Sequence, residues 1–346
     1  MVGHQKLGQS VPIEGVRDGA YRWLRGPDYP LWRRVQIVTW LSRSLTKAIV
    51  GKHELARDIL LEAGEEMSDW QEGDGKQVLE YFLGREYLAL HQLKQAEESY
   101  GEAKKADPNY VNAYIGLGNV YLDKASFYFL SPKSSSSDEN MCEEGRPSAK
   151  DLDANAGQIP LTASEALSAT NQAIVYYEDA VKMAPSSAWK PMKTVARYML
   201  GRGYRLRGTA AWSVSPANWS QANADLLRAK ELISPTLQQF EDDKLYGFLA
   251  YAYFDLAWAE RTSGDIYRRQ RDSASDAAQA EAQREEAIAA YKRAYESYLR
   301  CIEQEKRIDG DDPKGSKGMQ TTIACDCKEG EQNMLYQIGD LGGASG

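Results

Sequence analysis

Histidine, the commonest general base and metal ligand near neutral pH, occurs at only three positions, His4, His53 and His91. They are scattered, and no two stand one helix turn apart, so no Ser-His-Asp or Cys-His arrangement can be drawn. Each reads as a surface or helix-packing residue. The four cysteines are Cys142, Cys301, Cys325 and Cys327. Cys325-Asp326-Cys327 could share a metal or close a strained disulfide, but a structural zinc usually needs four ligands, and Cys142 and Cys301 are distant in sequence. No spacing suggests the disulfide framework of a small secreted domain, so the simpler expectation is incidental thiols in a reducing compartment. Gly201-Arg202-Gly203 sits inside a helical pattern rather than after a strand, which removes a dinucleotide reading. Gly310 to Lys317 has Gly315-Ser316-Lys317 where a phosphate loop needs Gly-Lys-Ser, again with no strand before it. The pairs Glu97-Glu98 and Glu285-Glu286 read as solvated helix faces. We therefore assign no catalytic, cofactor-binding or metal-binding residue and expect a protein that is not an enzyme.

Whatever work remains must be done by a surface, and composition narrows its kind. The chain carries 50 acidic against 42 basic residues, a formal net charge of −8, which argues against a nucleic-acid binder and against attraction to anionic membranes. Tyrosine is abundant (21) and phenylalanine scarce (6), a balance that suits half-wet interfaces. No apolar run reaches transmembrane length, and Met1 to Ser10 has no signal-peptide core, so a cytoplasmic location is expected. Without such a signal Asn218-Trp219-Ser220 reads as a chance glycosylation tripeptide.

The elements that would build this surface are repeated. Leu79 to Pro108 contains Leu83-Gly84, Tyr87, Ala96, Tyr100, Ala103 and Pro108. The first half restarts as Tyr114, Leu117-Gly118 and Tyr121, and the step from Gly84 to Gly118 is 34 residues. Its second half, Ala173, Tyr177, Ala180 and Pro185, keeps the same internal spacings but arrives 43 residues late. The delay is taken up by a Ser-, Asp-, Glu-, Gly- and Pro-rich insertion, about 130–160. A further unit holds Leu200-Gly201, Tyr204, Ala222, Leu226, Ala229 and Pro235. Another holds Leu256-Ala257, Gly264, Ala287, Tyr291 and Ala294, with a charged helical extension over about 268–284. A weaker unit comes first, with Trp40, Gly51, Ala56, Leu60 and Ala63.

Each set recurs every three or four residues, so it falls on one face of a helix. Gly and Ala let two helices approach while tyrosine fills the space between. Pro108 and Pro185 are expected to stop second helices, and Asn109 or Asn112 to cap the helix after Pro108. This series resembles the tetratricopeptide repeat over roughly residues 37–305, with Glu80, Arg197 and Glu260 at positions where the family usually has an aromatic. The resemblance implies an all-α fold, a right-handed superhelical array of helix-turn-helix units. The expected organisation is an aromatic-rich N-terminal capping segment at 1–36, an array of about four to five helix pairs at 37–305, and a flexible C-terminal tail at 306–346.

The resemblance also implies a concave groove lined by first helices. Aligned on Gly84, Gly118, Gly201 and Ala257, the groove residues are Tyr81, Arg85, Ile115, Asn119, Tyr198, Arg202, Arg205, Phe254, Trp258 and Arg261. Arginine forks hold carboxylates and aromatics give contact area with little entropy loss. The expected partner is a protein or peptide, acidic or with a free C-terminal carboxylate, with no nucleic acid, membrane or cofactor, and with self-association of array ends open. Pairing of the same arginines with Asp or Glu of neighbouring helices is the alternative. The expected function is a non-catalytic scaffold or adaptor; the alternative is a regulatory subunit that senses a partner and controls a protease or nuclease on another chain.

Overall fold

A computed structural model describes residues 31–66, 75–130, 162–186, 191–311 and 321–342. Eleven α-helices run through them with no strand among the described residues. They are α1 (Leu31–Ile49), α2 (His53–Glu66), α3 (Lys76–Ala89), α4 (Leu93–Ala106), α5 (Val111–Leu130), α6 (Ala163–Met183), α7 (Met192–Val214), α8 (Trp219–Asp242), α9 (Tyr246–Ser273), α10 (Ala277–Asp311) and α11 (Thr321–Asp340). Consecutive helices pack as antiparallel pairs, α1 with α2 through α9 with α10, and each pair packs on the next. The chain is an all-α superhelical array of helix pairs. Neighbouring first helices also touch each other, α3 with α5, α5 with α7 and α7 with α9, and no comparable contact joins the second helices among the described residues. The first helices therefore lie on the inner, concave side.

Local sequence explains where helices begin and end. At the start of α6, Thr162 Oγ1 accepts from the Glu165 backbone N–H while the Glu165 carboxylate accepts from the Thr162 N–H, a reciprocal cap. Between α4 and α5 the Asp107 carboxylate accepts from the Asn109 backbone N–H and holds the turn. Pro235 does not stop a helix: it lies inside α8, with Leu232, Ile233, Thr236 and Phe240 buried on either side of it. Phe240 stacks on Phe248 at 5.3 Å and meets Tyr198 edge-on at 5.7 Å, so packing beyond the proline outweighs the lost backbone bond.

Glycine and tyrosine set the helix spacing. A Cβ on Gly84 would lie 2.8 Å from the Tyr100 ring, and Tyr177 similarly occupies the space beside Gly118, as Tyr291 does beside Gly264. Glycine costs a helix about 1 kcal/mol relative to alanine. Each buried ring removes roughly 150–250 Å² from water, worth about 4–6 kcal/mol before entropy, so the close approach wins.

The expected insertion at about 130–160 and most of the N-terminal segment fall outside the described residues. Over the expected extension at 268–284, α9 continues to Ser273 and α10 begins at Ala277. The tail is not loose throughout. α10 continues to Asp311, and α11 docks on it through Ile323, Cys327, Gly330, Met334, Ile338 and Leu341, a stripe at helical spacing. Two of its members are Cys and Gly, which hides it in a Gly- and Asp-rich composition. The cysteines are not incidental either: Cys301 of α10 and Cys327 of α11 form a disulfide, and Cys325 is also disulfide-bonded. Disulfides persist in oxidising compartments, so cysteine chemistry lends the reducing-compartment expectation no support.

Candidate functional site

The inner face has two parts. In the first, α3 contributes Tyr81 and Arg85. Tyr81 is half-buried in an aromatic group, 5.8 Å from both Tyr100 and Tyr110, and the Arg85 guanidinium lies over the Phe82 ring at 5.1 Å. Burial raises the Tyr81 phenol above its ordinary range, and Arg85 partly offsets this. On α5, Ile115 is buried, and the half-buried Asn119 accepts a 2.7 Å hydrogen bond from the Tyr177 hydroxyl of α6. Its side chain holds its own repeat unit together.

The second part is built from α7 and α9. Asp255, 1% exposed, is its centre. One carboxylate oxygen accepts from the Tyr198 hydroxyl at 2.7 Å and lies 3.2 Å from Arg202 Nε. The other lies 2.8 Å from Arg205 Nε. Both arginines are 6% exposed. Burial is the largest single influence and works against the charge of Arg202, but Asp255, Tyr198, Tyr177 and Asp123 together outweigh it, and the guanidinium ends above its usual pKa. For Arg205 burial prevails over Asp255, with Arg202 adding repulsion, and its pKa ends below. The Arg205 guanidinium also faces Trp258 at 5.2 Å, and Phe254 meets Trp258 edge-on at 5.5 Å. Arg261 bonds to Tyr298 of α10 and feels Asp265 of α9 and Glu329 of α11.

The ten expected groove residues are thus placed unequally. Arg202 and Arg205 come together on one carboxylate, the internal pairing that was the alternative reading. Tyr198, Ile115 and Phe254 are buried among the helices. Tyr81, Arg85, Asn119, Trp258 and Arg261 are half-exposed. Asp255 was missed, although it is the single charge in the apolar run from Tyr246 to Ala259, a pattern that itself signals a paired buried carboxylate. Tyr251 was missed too. It is buried, and neither its hydroxyl nor Arg202 Nη1 has a hydrogen-bond partner among the described residues. His53 is buried against Glu86 at 2.8 Å and ties α2 to α3. Among the described residues, no three His, Cys, Asp or Glu side chains form a set that could hold a metal ion, and no helix is long and apolar enough to cross a membrane.

The arrangement can position and hold charged groups. Its donors point inward from first helices, and its aromatic rings flank them.

No protein-family model matches the chain, and no curated protein sequence matches it. Among solved structures it is similar to the assembly chaperone of RpL4, Acl4 (residues 1–338), at 12% identity over 87% of this chain and 96% of that one, TM-score 0.32. It is also similar to the human IFIT1 dimer with m7Gppp-AAAA (13% identity, 97% and 81% covered, TM-score 0.30) and to the apo form of RapI (12%, 97% and 95%, TM-score 0.25). At these values no partner or activity is transferred from them.

Proposed function

We propose that this chain is a non-catalytic scaffold whose inner face receives an acidic peptide segment, or one ending in a free carboxylate, from a partner protein. Tyr81, Arg85, Trp258 and Arg261 meet the partner directly, while Arg202, Arg205, Tyr198 and Asp255 form the floor beneath. The observation that carries this reading is the pair of buried donors with no acceptor among the described residues, Arg202 Nη1 of α7 and the Tyr251 hydroxyl of α9, with the half-exposed Trp258 and Arg261 further along α9. A carboxylate supplies the acceptor that both lack, and in a poorly solvated site such charge-assisted bonds are strong.

The test is fluorescence anisotropy with a panel of labelled acidic peptides, free or amidated at the C-terminus, against the protein and its Arg85→Glu/Arg261→Glu variant. Because Arg261 also bonds to Tyr298 and faces Asp265 and Glu329, circular dichroism establishes first that the variant is folded. The expected result is binding that weakens at least tenfold in the variant and falls with ionic strength. Equal binding by the folded variant, or preference for RNA with a steep salt dependence, would overturn the reading.

A further inference from the structure

α11 is the last described helix, and among the described residues the helices it packs on lie to one side. It packs on α10 and meets α9 just at an edge, whereas an interior helix has neighbours before and after it. Its seat is specific. The Tyr298 ring of α10 fills the space where a Cβ on Gly330 would lie, so the two backbones come close there. One turn along each helix, Cys301 and Cys327 are joined, with 6.3 Å between their Cα atoms. At the far end Arg268 of α9 holds Asp340 at 2.7 Å and also bonds to Gln337, and Arg284 of α10 donates to the Leu341 carbonyl at 2.7 Å.

These fastenings differ in strength. The Arg268–Asp340 pair is partly exposed on both sides, and such pairs contribute little. The disulfide closes a 26-residue separation and removes much of the freedom that an undocked α11 would otherwise gain. The sulfurs also differ in access. Cys301 and Cys327 are completely buried, while Cys325, two residues away and disulfide-bonded as well, is half-buried. A thiolate must reach sulfur along the S–S axis, so burial delays attack until the helix frays.

We propose that these disulfides make α11 a redox-graded latch on the α9–α10 pair. A small dithiol reductant opens the accessible Cys325 bridge first. The buried Cys301–Cys327 bridge yields only when α11 lifts from α10, and its loss frees the helix and uncovers the Tyr298 face. In each step one S–S bond breaks and two S–H bonds form. The two electrons and two protons come from the dithiol, which closes to a cyclic disulfide. While the bridges are closed, α11 keeps the apolar face of α10 covered. None of this depends on what the groove binds.

The experiment is stepwise reduction of the full chain with dithiothreitol, with alkylation and peptide mass spectrometry at each concentration, and hydrogen exchange read on the same samples. Cys325 should be alkylated at lower dithiothreitol than Cys301 and Cys327. Those two should appear together, and only then should α11 amides exchange about a hundredfold faster while α3 to α8 amides keep their rates. A Cys301→Ser/Cys327→Ser variant should show the fast α11 exchange without reductant. The proposal fails if Cys301 and Cys327 are alkylated before any reductant is added, if all three cysteines are released together, or if α11 exchange is unchanged in the fully reduced protein.

Discussion

Asp255→Ala tests the inner face most directly. The carboxylate is 1% exposed and pairs with two buried arginines, with Tyr198 donating to it at 2.7 Å. Removing it leaves two guanidinium charges close together in a poorly solvated site, with a phenol beside them that has lost its acceptor. Breaking a buried pair in this way typically costs 3–5 kcal/mol, so we expect about 4 kcal/mol here. At roughly 2–4 °C per kcal/mol for a chain somewhat smaller than this one, the melting temperature should fall by on the order of 10 °C. The companion variant replaces the whole group: Tyr198→Phe, Arg202→Met, Arg205→Met and Asp255→Leu together. The cluster's own charges are then gone and only the buried Asp123 loses a nearby counter-charge, so the variant should cost less than Asp255→Ala. Thermal and urea unfolding monitored by circular dichroism gives both values. If Asp255→Ala costs less than about 1 kcal/mol, or if the fourfold variant is the worse of the two, then the cluster is solvated and the reasoning from burial is wrong.

Gly84→Ala and Gly101→Ala should move stability in opposite directions although both lie in helix interiors. The first meets the Tyr100 ring at 2.8 Å and should cost about 1–3 kcal/mol, while the second meets nothing within 4 Å and should gain up to about 1 kcal/mol, as read by urea midpoints. Alkaline titration should be coupled to unfolding. Burial raises the phenol pKa of Tyr100, Tyr177, Tyr198 and Tyr251 above the ordinary 10.0, so their protons are retained in the fold and lost from the unfolded chain. The stability this represents is complete below pH 10 and declines as pH rises beyond it; tyrosinate absorbance that climbs smoothly near pH 10 with circular dichroism unchanged would contradict this.

The repeat is legible because its cause is local. Gly84 and Tyr100 lie in adjacent helices of one unit, and a 34-residue step brings the same pattern back at Gly118. Two thin helices joined by a short turn must pack face to face, so periodicity alone implies the pair. Pro235 shows the limit of local signals, because the packing of Phe240 on Phe248 decides whether the helix continues beyond it. The tail shows another: Cys327 and Gly330 serve as packing residues only because Cys301 and Tyr298 stand opposite them.

By itself, the sequence determined the class of fold and the places of most helices, since these depend on the spacing of small and aromatic residues within a few turns; which helices face inward was implied by the resemblance alone. Only the tertiary structure decided which charges meet. Arg202 and Asp255 belong to different units, and although the apolar run marks Asp255 as a carboxylate that needs a partner, nothing in the spacing within either helix says which cations it meets. The choice depends on how two helices are rotated about their axes, which the whole stack of neighbours sets. The same holds for the cysteines. Four allow three ways of making two bridges, and the docking of α11 on α10 selects Cys301 with Cys327.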